Sequence, residues 1–142
     1  MLKALIPVDG SPASERVVRH VIALMNGREP MEVHLINVQD KADAPELRRF
    51  LKPNEIKHMQ LEHGAAALMP AKRLLDRAGI PYKAHVLIGD PAEKIAAFAR
   101  SGGFDKIIMG THGRSGMTAL LMGSVATKVL HLSDVPVTLV KK

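Results

Sequence analysis

Glycines at regular spacing in the last third of the chain are the residues best suited to chemistry. A short apolar run ends at Gly110, Gly113 and Gly116 follow at intervals of three, and Gly123-Ser124 precedes an amphipathic segment. Glycine lets backbone N–H groups approach a ligand closely and can adopt positive φ. A helix beginning at Ser124 would add unsatisfied N–H groups and the positive end of its dipole. The spacing therefore predicts a strand, a glycine-rich loop and a helix start that bind an anion, most often phosphate.

The same glycines also have a purely structural interpretation, in which they only end a strand and cap a helix. Short glycine motifs often arise without any ligand. Four glycines and a serine in register behind an apolar strand are harder to explain by turns alone, so we favour an anion-binding loop. The sequence has no Walker loop, and no Gly-x-Gly-x-x-Gly follows the first apolar run, which argues against those two nucleotide-binding classes.

Candidates for acid–base chemistry or metal binding are few. Asp9 follows the first apolar run, where it would either bind the ligand, directly or through a phosphate-bound divalent ion, or cap the next turn. His112 is the other candidate base, and neither residue has an orienting partner visible in the sequence. The seven histidines form no metal-ligand pattern, and the absence of cysteine excludes thiolate nucleophiles and cysteine-ligated metals. Slow hydrolysis is left open, but dedicated catalysis is not supported.

Residues 101–105, Ser-Gly-Gly-Phe-Asp, look like the phosphate loop of ATP pyrophosphatases. Lys106 stands where that motif has its final serine, and the segment lies between a predicted helix and a predicted strand, on the amino edge of the sheet. A helix stop followed by a tight turn explains these residues better than a second phosphate site.

The elements that must position the candidate residues follow from apolar periodicity. Short apolar runs predict five strands, at residues 2–8, 33–38, 82–88, 106–109 and 135–140. Helical spacing predicts four helices, at residues 12–26, from the cap Asn54 to 78, at 91–100 and from 124 onwards. Ser11-Pro12 and Asp90-Pro91 are the other N-cap signals. Short helical turns are expected near residues 46–51 and 117–122.

Two helices carry more specific expectations. Pro70 removes one backbone N–H and crowds the carbonyl four residues earlier, so the second helix should kink or break near residues 66–70. The fourth helix should turn its large apolar side chains inward, and these are Val125, Val129, Leu130 and Leu132.

The alternation of strands with helices predicts an α/β fold, a Rossmann-like open sheet of five parallel strands with helices on both faces. The 142 residues suit a single domain, 1–142. No apolar run approaches the roughly 20 residues of a membrane span, and the N-terminal residues lack a signal-peptide pattern, so a cytoplasmic protein is expected. The net charge of +6 is dispersed and aromatic residues make up only 3%, which argues against nucleic acid as a partner.

The spacing of Gly110, two residues, Gly113, nine residues and Gly123-Ser124 resembles the ATP-binding branch of the universal stress protein family. The Val8-Asp9 dipeptide after the first strand is part of the same resemblance, which extends over essentially the whole chain. It implies the strand order 3-2-1-4-5. Asp9 would then lie beside Gly110, at the crevice where the direction of winding reverses.

The family's nucleotide-binding positions carry over residue by residue. The residues implied are Pro7, Asp9, Val38, Met109, Gly110, His112, Gly113, Arg114, Gly123, Ser124 and Val125. The backbone of Val38 would meet the adenine edge, and His112, Arg114 and Ser124 would donate to phosphate oxygens. The implied ligand is ATP, with Mg or Mn bound through its phosphates.

The resemblance implies an ATP-binding stress-response protein that acts as a nucleotide-dependent regulatory homodimer. The last strand, with Val137 and Leu139, would pair with that of a second copy, although Pro136 and the terminal lysines would oppose such pairing. Two alternative functions stay open. One is a slow ATPase or nucleotidyl-transferring enzyme that uses the same crevice, and the other is an interaction module without nucleotide.

Overall fold

Strands and helices alternate along the chain. The computed structural model describes residues 1–41, 46–112 and 122–141. Its elements, in chain order, are β1 (Leu2–Pro7), α1 (Pro12–Asn26), β2 (Met31–Gln39), a 3₁₀ turn (Leu47–Arg49), α2 (Pro53–Arg77), β3 (Tyr82–Ile88), α3 (Pro91–Ser101), β4 (Lys106–Gly110), α4 (Ser124–Leu132) and β5 (Val137–Val140). None of the helices in these ranges is long and apolar enough to cross a membrane.

The five strands form one sheet with the order β3-β2-β1-β4-β5, and all four neighbouring pairs are parallel. The predicted α/β fold and strand order are therefore confirmed. The chain moves outward from β1 through β2 to β3, and then crosses back to β4 and β5. The direction of winding reverses between β1 and β4, which opens a crevice at the carboxyl ends of these two strands.

Each face of the sheet packs against two helices through its own apolar cluster. Side chains alternate along β2, so that Val33 and Leu35 pack with α1 and α2 while Ile36 packs on the other face with α3 and α4. Val21 of α1 and Val129 of α4 are fully buried, one in each cluster. The two packed layers fix the strand ends, and with them the crevice.

Two of the predicted helix starts are confirmed with their caps. Ser11 precedes α1, and its side chain accepts a hydrogen bond from the N–H of Ser14. Asp90 precedes α3, and its Oδ1 accepts from the N–H of Glu93 at 3.0 Å. Proline occupies the first turn in both helices, where the missing N–H costs nothing.

The prediction for α2 was wrong about the N-cap and about a break at Pro70, while the kink expected as the alternative stays a prediction. Lys52, and not Asn54, is the N-cap, because Pro53 already occupies the first helical position. The helix also continues without a break through Pro70 to Arg77. Its buried stripe runs on across the proline, from Ile56 through Leu68, Ala71 and Leu75, so tertiary packing outweighs the one lost backbone hydrogen bond.

The prediction for α4 was also wrong in part. Only Ala126 and Val129 are buried, whereas Val125, Leu130 and Leu132 are 37%, 42% and 41% exposed. The helix is nine residues long, and a short helix at the edge of the molecule buries a narrow face of residues three apart.

The remaining differences concern element ends. β5 begins at Val137, two residues later than predicted, since Ser133 binds both the N–H and the carbonyl of Val135 in the preceding turn. The 3₁₀ turn at Leu47–Arg49 lies inside the predicted 46–51 segment. The helical turn predicted at 117–122 falls outside the described residues, apart from Met122.

Candidate functional site

A cavity of about 290 Å³ lies at the carboxyl edge of the sheet, where β1 and β4 diverge. It is bordered by the ends of β1, β2 and β4 and by the first turns of α3 and α4. The lining residues are Pro7, Val8, Asp9, Ser14, Ile36, Asn37, Val38, Pro91, Ile95, Met109, Gly110, Thr111, His112, Gly123, Ser124, Val125 and Ala126.

Nine of the eleven predicted binding residues line this cavity. They are Pro7, Asp9, Val38, Met109, Gly110, His112, Gly123, Ser124 and Val125. The other two, Gly113 and Arg114, lie outside the described residues. The strand order thus brings together residues that are more than 100 positions apart in the sequence. Their contact with a ligand stays a prediction.

Asp9 is held in a tight turn at the mouth of the cavity. Its Oδ1 accepts hydrogen bonds from the N–H of Ser11 at 2.9 Å and from the Oγ of Ser14 at 2.7 Å. Its own N–H donates to the same Ser14 Oγ at 2.9 Å. The turn-capping role that the sequence left open for Asp9 is therefore present, and it fixes the carboxylate at the cavity.

Gly10 allows the turn after Asp9 to pack closely against α2. Its φ is +83°, a conformation that favours glycine, and a Cβ at this position would lie 3.2 Å from the Cα of Ala67. A side chain here would therefore strain the backbone and press on the helix. Gly10 was not among the predicted site residues, although the Asp-Gly pair is a recognisable turn signal.

Asn37 is a site residue that sequence reasoning missed. It is 4% exposed, and its Nδ2 donates to the carbonyl of Val8 at 2.8 Å. Its Oδ1 accepts from Nε2 of Gln39 at 2.8 Å. The side chain therefore ties the end of β2 to the end of β1 beside Asp9. A polar residue interrupting the apolar run of β2 was the signal that could have found it.

The loop after β4 is closed at its base by Thr111. The N–H of Thr111 donates to the carbonyl of Val140 at 3.3 Å, and its own carbonyl accepts from the N–H of Gly123 at 2.6 Å. Its Oγ1 lies 2.9 Å from Nδ1 of His112, within hydrogen-bond distance. Thr111, also missed from the sequence, thus joins the end of β4 to the start of α4.

The two described loop glycines do not use the positive φ that glycine can adopt. Gly123 has a φ of −64°, and Gly110 is not among the described glycines with positive φ, which are Gly10, Gly79, Gly89 and Gly103. What these two positions contribute is instead the space left by a missing side chain. A Cβ on Gly110 would lie 3.2 Å from the carbonyl oxygen of His112, tighter than ordinary contact.

The first turn of α4 presents backbone N–H groups to the cavity. Gly123 is the N-cap and has no side chain to accept a hydrogen bond, and the first helical bond runs from the N–H of Thr127 to its carbonyl. The N–H groups of Ser124, Val125 and Ala126 precede this first bond, so they have no acceptor within the helix itself. Together with the helix dipole they form an electropositive wall.

The opposite end of the cavity is apolar. Ile36 and Val38 from β2, Pro91 and Ile95 from α3 and Met109 from β4 line it. Such a surface suits the flat face of a planar ring. The cavity therefore combines an apolar end with a polar end rich in N–H groups.

An exposed ion pair links the two helices beside the cavity. Nζ of Lys128 on α4 lies 3.1 Å from Oδ2 of Asp90, the N-cap of α3. The N–H of Glu93 and the Lys128 ammonium lower the pKa of the Asp90 carboxyl, and the Asp90 carboxylate raises the pKa of Lys128. Both side chains are close to half exposed, so the pair contributes little to stability.

In the described part of the chain, no three histidine, aspartate or glutamate side chains are grouped to hold a metal ion. Residues 101–105 form a helix stop, as expected, with Gly102 as the C-cap of α3 and Gly103 at a φ of +67°. Asp105 accepts from the N–H of Lys3 at 2.7 Å, at the amino edge of the sheet and away from the cavity.

Comparison with known proteins agrees with this fold. The profile of the universal stress protein family matches residues 1–141. Universal stress protein MJ0531 of Methanocaldococcus jannaschii is 34% identical over 140 residues, which cover 99% of this chain and 82% of that protein. The solved structure of MJ0577, from the same organism, superimposes with a TM-score of 0.84 at 33% identity and covers 99% of this chain and 96% of the other.

A more distant structure contains a nucleotide. The universal stress protein from Archaeoglobus fulgidus, solved in complex with dAMP, has a TM-score of 0.69 at 21% identity, covering 99% of this chain and 98% of that one. At this identity the similarity shows the fold alone. The match over almost the full length and the two closer relatives establish the classification: the chain belongs to the universal stress protein family.

Proposed function

We propose that the cavity binds an adenine nucleotide, and ATP in particular, within a single domain of residues 1–142. The observation that carries the proposal is that nine of the residues implied by the family resemblance lie around one cavity with an apolar end and an N–H-rich end. A cavity of about 290 Å³ is near the lower end of the usual range for small-molecule sites.

The two ends of the cavity suit the two ends of a nucleotide. The adenine ring would lie against Ile36, Val38 and Ile95, with the backbone of Val38 at its edge. The phosphates would lie at the start of α4, where N–H groups and the helix dipole favour negative charge. Asp9, at the mouth between them, would bind the nucleotide or a water of a phosphate-bound ion.

The related protein that contains dAMP supports the adenine nucleotide class. The choice of ATP within that class rests on the spacing from Gly110 to Ser124, which resembles the ATP-binding branch of the family. Mg²⁺ or Mn²⁺ carried by the phosphates would need little from the protein beyond Asp9, since such an ion keeps several waters and takes further oxygen ligands from the phosphates.

We propose binding and regulation, in a cytoplasmic stress response, as the function, in preference to turnover. Oδ1 of Asp9 already accepts two hydrogen bonds that hold the turn, and Nδ1 of His112 lies within hydrogen-bond distance of Thr111. Both candidate bases thus have structural contacts inside the protein. Nucleotide occupancy would then change how the protein interacts, and hydrolysis would be incidental.

A charge placed at the start of α4 tests the phosphate end directly. Ser124→Asp puts a carboxylate in a first turn that has no acidic residue, where it favours the helix dipole and should keep or raise stability. The same carboxylate would repel phosphates. Calorimetry should show ATP affinity at least about tenfold weaker, or about 1.4 kcal/mol, with adenosine affinity largely unchanged.

Asn54→Asp is the matched control. It makes the same change of charge in the first turn of α2, at an exposed position that does not line the cavity. ATP should bind this variant as it binds the natural chain. Equal ATP affinity for Ser124→Asp and the natural protein would contradict the proposed phosphate site.

We also propose that β5 pairs with β5 of a second copy. β5 is the last strand of the sheet, and its paired neighbour in the described chain is β4. The carbonyls of Pro136 and Val140 accept hydrogen bonds from Ile107 in β4 and from Thr111 just after it, so the backbone groups of Val137 and Leu139 point to the outer edge. An open edge of this kind favours pairing with another strand, and a two-fold dimer closes it.

A further inference from the structure

A hydrogen-bonded histidine pair lies between the sheet and α3, beside the cavity. Nδ1 of His34 on β2 is 3.0 Å from Nε2 of His85 on β3, and the two rings are parallel within 2°. Nε2 of His34 is 2.9 Å from Oε2 of Glu32. His34 is 5% exposed, whereas His85 is half-buried, so one ring of the pair is removed from water and the other keeps partial contact with it.

Aromatic rings cover both histidines. Phe98 of α3 contacts His85 with ring centroids 4.8 Å apart, and Phe104, in the turn after α3, meets His34 edge-on at 4.9 Å. Phe98 and Phe104 also contact each other at 5.7 Å. The two imidazoles therefore form part of the surface on which the end of α3 packs.

The geometry limits the number of protons that the pair can hold. The carboxylate of Glu32 accepts from Nε2–H of His34, so in a neutral His34 the Nδ1 atom is an acceptor and His85 donates to it. One added proton leaves this hydrogen bond intact, because one nitrogen of the facing pair still carries a lone pair. A second added proton would set N–H against N–H at a separation of 3.0 Å.

The surrounding charges oppose the second proton. Glu32 on β2 favours positive charge, whereas Lys83 on β3 and Lys3 on β1 disfavour it; Nζ of Lys3 lies 4.6 Å from the ring centre of Phe104. Burial lowers the pKa of His85 most, and electrostatic repulsion from His34, Lys83 and Lys3 lowers it further. His34 also contributes to lowering the pKa of Glu32 through their hydrogen bond.

The pair is next to the wall of the cavity. His85 is the register partner of Ile36, which lines the cavity, and Ile36 follows His34 by two residues on the same face of β2. On α3, Ile95 lines the cavity and Phe98 follows it by three residues, on the same side of the helix. A shift of α3 at the histidines would therefore move the apolar end of the cavity.

We propose that the His34–His85 pair is an acid-sensitive element, which loosens α3 from the sheet when both rings are charged and thereby weakens ligand binding in the cavity. The regulatory part of this inference rests on the proposed nucleotide site. The pKa of His85 is lowered in the folded protein, whereas in the unfolded chain it has the ordinary histidine value of about 6.5. As the pH falls below about 6.5, the unfolded chain therefore binds more protons than the folded protein does. Stability should be fully present above that pH and should fall as the pH falls below it.

His85→Gln tests the proposal, since the side-chain amide can still donate to His34 but takes up no proton. Urea unfolding and calorimetry with ATP should be followed from pH 8 to pH 5. The natural protein should lose stability and several-fold ATP affinity on acidification, and His85→Gln should lose distinctly less of both. Protonation of ATP itself affects every variant equally.

His58→Gln is the control, because His58 is exposed and has its own carboxylate partner, Glu62, one turn away. This variant should follow the natural protein at every pH. ¹⁵N NMR of the imidazoles in the natural protein gives a readout that does not depend on any variant folding. At pH 7 it should show Nε2–H on both His34 and His85, and on acidification the second proton should enter well after the first.

Identical pH profiles of stability for the natural protein and His85→Gln would overturn the proposal, and so would NMR spectra in which the pair takes up both protons in a single step. If His85→Gln reduces the pH dependence of stability but leaves the pH dependence of ATP affinity unchanged, the coupling between the histidine pair and the cavity would be overturned. Failure of ATP to bind at pH 8 would instead reject the proposed nucleotide site. The stability and NMR profiles would then still decide whether the pair responds to acid.

Discussion

Single side chains fix the mouth of the cavity from two directions. Ser14 and the N–H of Ser11 hold the Asp9 carboxylate from the α1 side. Asn37 holds the carbonyl of Val8 from the β2 side, and it is itself held by Gln39. Asp9 therefore faces the cavity in a position that does not depend on a bound ligand, which reduces the ordering cost of binding.

Asn37→Leu should remove one of these two supports. The carbonyl of Val8 and the amide of Gln39 would lose their buried partner, so the free energy of unfolding should fall by about 1–3 kcal/mol. Urea denaturation measures this change. Gln39→Ala removes only the outer hydrogen bond and should cost less. An unchanged midpoint for Asn37→Leu would show that the side chain does not hold the two strand ends together.

At the scale of elements, α2 packs on the sheet at a point where a glycine is required. A Cβ added to Gly64 would lie 2.4 Å from Cγ1 of Val86 on β3 and 3.1 Å from Oδ1 of Asn37. The valine side chain is stiff at χ1 and cannot easily turn away. The close approach of helix and sheet at Gly64 therefore also protects the Asn37 hydrogen bonds.

Gly64→Ala should destabilise the protein by about 1–3 kcal/mol through overpacking. The same change made together with Val86→Ala should cost clearly less, because the overlapping methyl group is gone. Urea denaturation of the two single variants and the double variant gives the comparison. Equal costs of Gly64→Ala in both backgrounds would mean that the helix does not approach β3 so closely.

Pairing through β5 can be tested with two proline variants. Leu139→Pro removes an N–H that points to the outer edge, so it should leave the sheet intact and yield a monomer by light scattering. Thr138→Pro is the contrasting variant, because the backbone of Thr138 faces β4 and its change should mainly reduce stability. A Leu139→Pro protein that stays dimeric would exclude the outer edge of β5 as the interface.

The elements also show what can be predicted from the sequence. Apolar runs mark where strands end, so Asp9, Gly110 and Ser124 could be assigned to one edge before any coordinates. Asn37 could not be assigned, because its role depends on Val8, 29 residues away. The break at Pro70 was wrong because local backbone preference was outweighed by the buried stripe of α2.

The fourth helix shows a different limit. Apolar residue type alone does not say which face of a short helix meets the sheet, and Leu130 and Leu132 proved to be exposed. Gly113 and Arg114 lie outside the described residues, so their predicted contacts with phosphate still await a test. The sequence thus predicts where the site forms better than it predicts which side chains pack beside it.

At the scale of the whole molecule, the net charge of +6 should favour an anionic ligand over a neutral one. Raising the salt concentration from about 0.1 M to about 1 M shortens the Debye length from about 10 Å to about 3 Å. ATP affinity should therefore fall several-fold over this range, while adenosine affinity should hold or rise slightly. Calorimetry at both concentrations checks this difference, and equal salt dependence of the two ligands would argue against a phosphate end.

Mapping of backbone amide shifts by NMR during an ATP titration tests the central claim most directly. The amides of Gly110, Ser124, Val125 and Ala126 should shift most with ATP and little with adenosine, because they face the phosphates. The amide of Val38 should shift with both ligands, because it borders the adenine ring. If saturating ATP leaves the chemical shifts of these amides unchanged, or if it shifts mainly the amides of α2, nucleotide binding in this cavity is contradicted.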